Sequence, residues 1–272
     1  MYLMTICNGQ LCNQILYLVH VLATAIESRD KRVVDLFAKD VIGFTDLHPD
    51  AIPGCKVQVK SVRATKIHAF AELFVQRYSF ATTGYALQNP RRIQRWVKSR
   101  LPKIVWSWCF RNPAAIAWHR AEICAFLKAK DRFCVRPQKI VDEARKDADK
   151  IVGVHIRRGD YKEFKGGSLW FSDAQYLDFM RQARTVLGGA VRFVIVSNEP
   201  VNISYFSQEG LDAVDASGLP QEDIVTLSLC DYIMGPSSTF SWWAAYYGDK
   251  PRADITAANY KIEKTSFRKV TD

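Results

Sequence analysis

The sequence lacks any apolar run of about 18 residues or more, the length that a membrane-spanning helix needs. Residues 1–7 are apolar, but no basic residue precedes them and Asn8-Gly9-Gln10 interrupts them, so we expect no secretory signal. Internal repeats and low-complexity segments are also absent, which argues against a fibre or a disordered chain. These absences predict a cytoplasmic globular protein.

Cysteine pairs of the Cys-x-x-Cys type are missing too, and the seven cysteines are odd in number. The five histidines show no metal-ligand spacing relative to the cysteines, so we predict no metal site. Several cysteines follow apolar residues, as Cys230 follows Leu229. This pattern is typical of buried thiols in a reducing compartment.

What the chain does have is positive charge, with a net charge of +10 and a pI of about 9.3. Such an excess favours nucleic acid, an anionic membrane face or a phosphorylated substrate, and charge alone does not choose among them. The 272 residues, 48% of them hydrophobic, suffice for two domains with a core each. The polar stretch 135–150 predicts a helix leading to a junction, with domains at 1–149 and 150–272.

Residues 91–120 combine basic residues with tryptophan and contain no acidic residue. This mixture suits a segment lying on an anionic membrane surface. It equally suits stacking on nucleic-acid bases or on sugar rings. The remaining interpretation is a solvated helix face with its tryptophans in the core. Those tryptophans are Trp96, Trp106, Trp108 and Trp118.

Strands and helices alternate in the second half of the chain, which predicts a parallel sheet in an α/β protein. The predicted strands cover 151–156, 191–197 and 232–235, and the predicted helices cover 172–187, 223–230 and 237–247. Ser172 is the expected N-cap of the first of these helices. In the first half we predict strands over 1–7 and 32–38 and a helix over 11–27. Ligands of such sheets bind at the carboxyl ends of the strands.

The sharpest motif, His155-Ile156-Arg157-Arg158-Gly159-Asp160-Tyr161, closes the strand over 151–156. Two arginines there are costly to desolvate unless an anion meets them, and a guanidinium fork fits phosphate oxygens. A diphosphate leaving group needs such charge stabilisation. Asp160 is placed to orient an arginine or to accept a proton. The alternative is a purely structural Arg–Asp network.

A second motif, Gly235-Pro236-Ser237-Ser238-Thr239-Phe240-Ser241-Trp242-Trp243, takes a short strand into a helix. Free N–H groups and the helix dipole make that helix start an anion site, to which Ser237, Ser238 and Thr239 add hydroxyl donors. The alternative is ordinary N-capping by one serine, with the tryptophans in the core.

Two weaker motifs remain. In Gly9-Gln10-Leu11-Cys12-Asn13-Gln14, Asn13 and Gln14 either reach a ligand or cap the helix. Asp147-Ala148-Asp149 has the D-x-D form of a metal–nucleotide motif, but it lies in a charged stretch instead of after an apolar strand. We interpret it as part of a solvated face.

Together, the first three motifs resemble the bacterial α-1,2-fucosyltransferases and, more distantly, the α-1,6- and protein O-fucosyltransferases. The opening resembles G-x-L-G-N-Q, His155 to Asp160 matches H-x-R-R-x-D, and Asp231 to Tyr247 resembles the S-T-F-S-W-W-A segment. The resemblance runs to about Tyr247, with residues 40–145 unmatched. It implies an α/β fold of two Rossmann-like domains, GT-B-like, that uses GDP-β-L-fucose without a metal.

The resemblance also implies roles for individual residues. His155 and Asp223 would lie near the guanine, and Arg157 would bind the β-phosphate with Arg158 supporting it or sharing that role. Ser237, Ser238, Thr239 and Phe240 would line the phosphate site. Asn13 would line the cleft near the reacting carbon.

Three departures from the family pattern bear on mechanism. Cys12 stands in place of a glycine, Tyr246-Tyr247 in place of Trp-Leu, and Lys165 where the α-1,6 enzymes have a glutamate. The catalytic base is therefore open between Asp160 and Glu163, or the attack is loose and dissociative with late proton loss.

The resulting expectation is an inverting, metal-independent transfer of fucose to a glycan hydroxyl, α-1,2 to galactose, with lipid-linked glycans among the acceptors. In this interpretation residues 91–120 hold the enzyme on the inner membrane face and nucleic acid is not a partner. The alternatives are an α-1,6 or α-1,3 linkage, a basic nucleic-acid-binding protein, and a GDP-sugar-binding protein without turnover.

Overall fold

The structure is a computed structural model. It describes residues 2–4, 10–28, 32–35, 39–52, 54, 56–59, 103–105 and 111–272. The chain divides into two compact units, Met1–Lys128 and Ala129–Asp272. Both units are α/β, and each is described by itself.

The first unit is built around a parallel sheet. Its elements are β1 (Tyr2–Met4), α1 (Leu11–Glu27), β2 (Arg32–Asp35), α2 (Lys39–Phe44), β3 (Thr45–Leu47), β4 (Lys56–Val59), β5 (Lys103–Val105), α3 (Pro113–Trp118) and α4 (Arg120–Phe126), followed by β6 (Leu127–Ala129). The sheet has the order β4-β2-β1-β5, and its strand pairs are parallel. The predicted strand–turn–helix opening is confirmed for β1 and α1.

Helix α1 has the bounds that the sequence predicts, because its apolar residues recur at helical spacing. Ile15, Leu18, Val19 and Leu22 are fully buried. Burial lowers the pKa of His20 to about 4, so its imidazole is neutral and its Nδ1 accepts a hydrogen bond from the Asn112 backbone, 3.0 Å away. This bond joins α1 to the start of α3.

The second unit carries the regular alternation that the sequence predicts. Its elements are α5 (Val135–Ala144), β7 (Lys150–Ile156), α6 (Asp173–Leu187), β8 (Val191–Ser197), α7 (Ile203–Gln208), β9 (Asp212–Asp215), α8 (Pro220–Leu229), β10 (Tyr232–Pro236), α9 (Thr239–Gly248) and β11 (Arg252–Ile255). The sheet order is β11-β10-β7-β8-β9, and the strand pairs are parallel throughout. The predicted parallel sheet is confirmed.

The two faces of this sheet pack differently. On one face Val152, Val154 and Ile156 enter a core with α6, whose predicted N-cap Ser172 forms a full capping box with Gln175. On the other face Gly153 allows α8 to approach closely, since a Cβ there would lie 2.8 Å from Leu227 Cδ2.

Helix α5 belongs to the second unit, although the sequence places a domain junction at 149/150. Arg145, which follows α5, pairs with Asp231 at 2.9 Å, and Arg192 donates to the carbonyl of Ala144 at 3.2 Å. These bonds bind α5 to the sheet. The family resemblance implies an acceptor-side domain in 1–149 and a GDP-sugar-binding domain in 150–272, and these roles stay a prediction.

The D-x-D segment follows α5 in a turn instead of within a helix. Asp147 is largely exposed, and Asp149 accepts a hydrogen bond from the Ala190 backbone at 2.9 Å. In the part of the chain that the structure describes, no group of His, Cys, Asp and Glu side chains could hold a metal ion.

Helices α8 and α9 pack together through Gly248, where a Cβ would stand 2.1 Å from the Ser228 carbonyl oxygen.

We expect Gly248→Ala to destabilise the protein by about 1–3 kcal/mol, because the added methyl forces α8 and α9 apart. The measurement is the urea-unfolding midpoint by circular dichroism. Gly43→Ala on α2 is the matched control, since a Cβ there meets nothing within 4 Å and alanine favours the helix. Equal midpoints for the two variants would contradict the close packing of α8 on α9.

Candidate active site

The candidate site lies where the strand order of the second unit reverses. From β7 the chain runs to β8 and β9 on one side, then crosses to β10 and β11 on the other. The crevice beyond the carboxyl ends of β7 and β10 is the point at which parallel sheets bind ligands. Both predicted motifs begin at these two strand ends.

Arg157, the first residue after β7, contacts Asp160 and Tyr161 and is partly exposed. Its Nη2 lies 3.0 Å from the Asp160 carboxylate, and its guanidinium carbon lies 5.5 Å from the centre of the Tyr161 ring. The Arg157 side chain is 20% exposed and the Asp160 side chain 61%. The guanidinium thus sits at the crevice with donors left over for an anion.

Arg158 has different surroundings. Its guanidinium pairs with Asp173, at the start of α6, and lies 5.8 Å from the centre of the Trp170 ring. Its backbone N–H donates to Asn198 Oδ1 at 2.9 Å. These contacts indicate a supporting role that fixes the loop after β7.

His155 is a buried, neutral imidazole at the end of β7. Only 3% of the residue is exposed, and burial, with Arg157 and Arg252 nearby, lowers its pKa to about 3. Its ring stacks on Phe240 with the centroids 4.9 Å apart. None of the residues that the structure describes forms a hydrogen bond with Nδ1. A buried polar atom without a partner is rare and suits a ligand contact.

The start of α9 faces the same crevice from β10. Ser238 is the N-cap, and its Oγ accepts from the Phe240 N–H at 3.1 Å. The predicted helix start at Ser237 is thus two residues early, because the helix begins at Thr239. Gly235 lets β10 lie against β7, since a Cβ there would stand 2.6 Å from the His155 carbonyl oxygen. Ser237 is exposed at the strand end and Thr239 begins the helix.

Tyr161 connects the two motifs, and sequence reasoning assigned it no role. Its hydroxyl donates to the Ser237 carbonyl at 3.2 Å, while its ring lies beneath the Arg157 guanidinium. One side chain thereby holds the loop after β7 to the loop after β10. Its place next to Asp160 in the motif was the one available signal.

Asp223 lies in the first turn of α8, which follows β9. It is thus beyond the same carboxyl ends of the strands as the two motifs, but on the far side of β7 from β10. Only 6% of the residue is exposed, and its Oδ1 accepts from the Gly218 N–H at 2.8 Å. Burial raises the pKa of Asp223 to about 7. Arg136 donates to the carbonyls of Ala216 and Ser217 at 3.1 and 3.0 Å and so fixes the loop that holds this carboxyl.

The remaining site candidates are scattered. Glu163 is exposed and ends the short 3₁₀ segment Gly159–Lys162. Asn13 is half-buried on α1 of the first unit, and its approach to the crevice stays a prediction. Gly9 lies outside the described residues.

The basic, Trp-rich stretch also lies mostly outside them, except 103–105 and 111–120. There Trp118 is 82% exposed, so it does not point into a core. The side chains of Cys12 and Cys230 are buried, as expected, whereas those of Cys124 and Cys134 are only half-buried. Among the described helices, none is both long enough and apolar enough to cross a bilayer.

A crevice at the strand-order reversal, with an arginine, a helix start and a buried carboxyl along one edge, is the arrangement in which parallel α/β proteins bind anionic ligands. Residues 109–272 match the model of the family described as glycosyl transferase family 11. The chain belongs to this family.

The curated relatives agree with the family match. Galactoside α-(1,2)-fucosyltransferase 2 of Mus musculus is 32% identical over 137 residues, which cover 44% of this chain and 36% of the relative. Galactoside α-(1,2)-fucosyltransferase 1 of Bos taurus is 32% identical over 132 residues, which cover 44% and 35%. The matched part spans about a third of the length of these relatives.

Three solved structures show the fold. FUT1 of Arabidopsis thaliana, mutant R284K with GDP, has a TM-score of 0.61 at 11% identity, covering 97% of this chain and 71% of that one. POFUT1 with GDP scores 0.58 at 12% identity, covering 93% and 97%. The α-1,6-fucosyltransferase NodZ soaked with GDP-fucose scores 0.57 at 13% identity, covering 95% and 96%. The chain has the α/β fold of these fucosyltransferases.

We expect Tyr161→Phe to weaken GDP binding about threefold to tenfold, because it removes a hydrogen bond worth about 1 kcal/mol that joins the two strand-end loops. Isothermal titration with GDP measures this. Tyr205→Phe is the control, since that ring belongs to α7 and packs on the neighbouring Phe206. A wild-type affinity in Tyr161→Phe would show that the link does not position the site.

The raised pKa of Asp223 predicts a pH-dependent stability. The carboxyl has a pKa of about 7 in the folded protein, against the ordinary value of 3.8. The free energy of unfolding therefore falls as the pH rises through 7, because the buried carboxyl must then ionise. Asp223→Asn removes this cost, and we expect it to be more stabilising at pH 8 than at pH 5 by on the order of 1–3 kcal/mol. The measurement is urea unfolding at both pH values.

Asp178→Asn, on the exposed side of α6, is the control for that pH comparison. Its effect on stability should be the same at pH 5 and pH 8. If Asp223→Asn behaved like this control, burial would not be raising the pKa of the Asp223 carboxyl.

Proposed function

We propose that the protein transfers L-fucose from GDP-β-L-fucose to a sugar hydroxyl. One observation carries the proposal: a single sheet edge presents an anion-binding end at Arg157 and α9 and a buried carboxyl at Asp223. The loops after β10 and β9 are separated by three strand spacings, about 14 Å. An extended nucleoside diphosphate can reach both ends at once.

The guanine end of the proposed site uses complementary donors and acceptors. Guanine offers N1–H and N2–H₂ as adjacent donors, and an ionised carboxylate at Asp223 accepts both. The Oδ1 bond to Gly218 already fixes the carboxyl plane. Nδ1 of neutral His155 supplies a further polar atom, with which no described residue forms a hydrogen bond. The relatives named as GDP complexes support this choice of nucleotide.

The phosphate end of the site stabilises the departing GDP. As the fucose–oxygen bond breaks, negative charge grows on the β-phosphate. Arg157 is placed to donate to it, and the N–H groups at the start of α9 add their dipole. Ser237, Ser238 and Thr239 lie at that helix start. In this proposal no metal takes part.

The proposed reaction is a single displacement at the anomeric carbon that inverts β to α. The candidate bases are Asp160 and Glu163. Asp160 is 61% exposed at the crevice but is already paired with Arg157. A pair of this kind favours a positioning role for Asp160, and a dissociative attack needs little help from a base. In this proposal the two units are the Rossmann-like domains of a GT-B-like enzyme, and Asn13 of the first unit is among the candidate catalytic residues.

The linkage proposed is α-1,2 to galactose, on the support of the galactoside α-(1,2)-fucosyltransferases among the relatives. The alternatives are α-1,6 and α-1,3, since NodZ is an α-1,6 enzyme of the same fold. A lipid-linked glycan is a fitting acceptor for a cytoplasmic enzyme whose basic stretch, residues 91–120, contacts an anionic membrane.

The experiment is isothermal titration of the protein, in EDTA, with GDP, GDP-fucose, GDP-mannose and UDP-galactose. We expect GDP and GDP-fucose to bind, and Arg157→Ala to weaken both about tenfold to a hundredfold, because a charge-assisted hydrogen bond to phosphate is worth about 1.5–3 kcal/mol. Arg181→Ala, an exposed arginine of α6 paired with Glu209, is the matched control.

Two outcomes would contradict the proposal. If no guanine nucleotide bound, the site at this edge would not be a donor site. If UDP-galactose bound as tightly as GDP-fucose, Asp223 would not select guanine. Binding without transfer to any galactoside would identify the non-catalytic alternative.

A further inference from the structure

A second cavity lies in the second unit beside β11. Arg252 and Asp254 of β11 are in register with Ile233 and Gly235 of β10, on the sheet face that also carries His155. The cavity has a volume of about 650 Å³. Its lining is Trp242, Arg252, Asp254, Tyr260, Lys261, Glu263, Thr265, Ser266, Arg268, Lys269 and Val270. None of the candidate donor-site residues lines it.

The cavity contains a buried arginine that the fold does not fully use. Arg252 is 8% exposed, and its Nη2 donates to Asp254 Oδ1 at 2.5 Å. Its Nε has no hydrogen-bond partner among the described residues. Burying a guanidinium with an unused donor costs free energy unless a ligand completes it. The cavity therefore has a preformed polar contact point.

The charges around the cavity are unbalanced towards positive. Lys269 is neutralised by Asp249 at 2.7 Å, and Glu263 accepts from Thr265 within its own turn. Lys261 and Arg268 form no ion pair in the part of the chain that the structure describes, and both are exposed at the cavity. Both cations are therefore available at the cavity to an anionic group.

Aromatic rings complete the lining. Trp242, on α9, stacks on Tyr246 with the ring centroids 5.2 Å apart, which fixes its plane. Tyr260 lines the cavity from the C-terminal segment. Aromatic faces suit the C–H surface of a sugar ring, and the Asp254 and Glu263 carboxylates suit its hydroxyls. Two carboxylates disfavour a polyphosphate and so favour a saccharide over a nucleotide.

We propose that this cavity binds an acidic saccharide, a sugar ring that carries a carboxylate or phosphate, at a site separate from the donor crevice. The ring packs on Trp242 and Tyr260, and the anionic group meets Lys261 and Arg268. Arg252 supplies the buried donor. The proposal does not require that the chain transfer fucose; where it does, the cavity is suited to an acidic unit of the acceptor glycan.

The test is saturation-transfer NMR and isothermal titration of the full chain with D-galacturonic acid, with neutral D-galactose as the matched probe. We expect galacturonic acid to bind about tenfold more tightly than galactose, because only it engages the cations. The double variant Lys261→Gln/Arg268→Gln should lose most of this preference while its GDP affinity stays at the wild-type value. Both positions are exposed, so the variant should fold.

Three results would overturn the proposal: no binding of either sugar, equal binding of both, or an unchanged preference in the double variant. Displacement of galacturonic acid by GDP would overturn it too, since the sugar would then occupy the donor crevice. Trp242→Phe, which keeps an aromatic ring, should weaken both sugars alike. Failure of GDP binding in the wild type would overturn the proposed function alone.

Discussion

The site depends on one constraint, the side-by-side packing of β7 and β10 at the point where the strand order reverses. A glycine at position 235 allows β10 to lie against the His155 carbonyl, where any side chain would collide. The Tyr161 hydroxyl then joins the loops that follow, at the Ser237 carbonyl. This pairing brings an arginine and a helix start to one crevice, although they are far apart in sequence. Without it, each would be an ordinary strand end.

The two adjacent arginines, Arg157 and Arg158, differ in their surroundings and therefore in their roles. Arg158 is enclosed by Asp173 and the Trp170 ring, so its charge is used within the protein. Arg157 meets the mostly exposed carboxylate of Asp160 and the Tyr161 ring, and it keeps donors at the crevice. The more enclosed arginine fixes the loop, and the more open one is available to an anion. Such a division explains why two arginines are needed at one strand end.

Much of the second unit, and helix α1 of the first unit, could be predicted from the sequence, because apolar runs and capping residues act locally. The bounds of α1 and β8 and the cap at Ser172 are as expected. The sequence analysis did not predict strands β9 and β11, because both are edge strands that are short, partly charged and without an apolar run. Contacts that link distant segments, such as Tyr161 to Ser237, leave no periodic signal. The motif arginines were found as a pair, but their different roles depend on packing that only the structure shows.

The central claim is that this sheet edge binds GDP-fucose so that its fucose can be transferred. The most direct measurement is incubation of the protein with radiolabelled GDP-fucose and lactose, followed by NMR of the purified product. The account predicts a fucosylated lactose with an α linkage, formed in EDTA and absent when Arg157 is replaced by alanine. A protein that binds GDP-fucose but forms no fucosylated product with any galactoside, or an equally active Arg157→Ala variant, would contradict it.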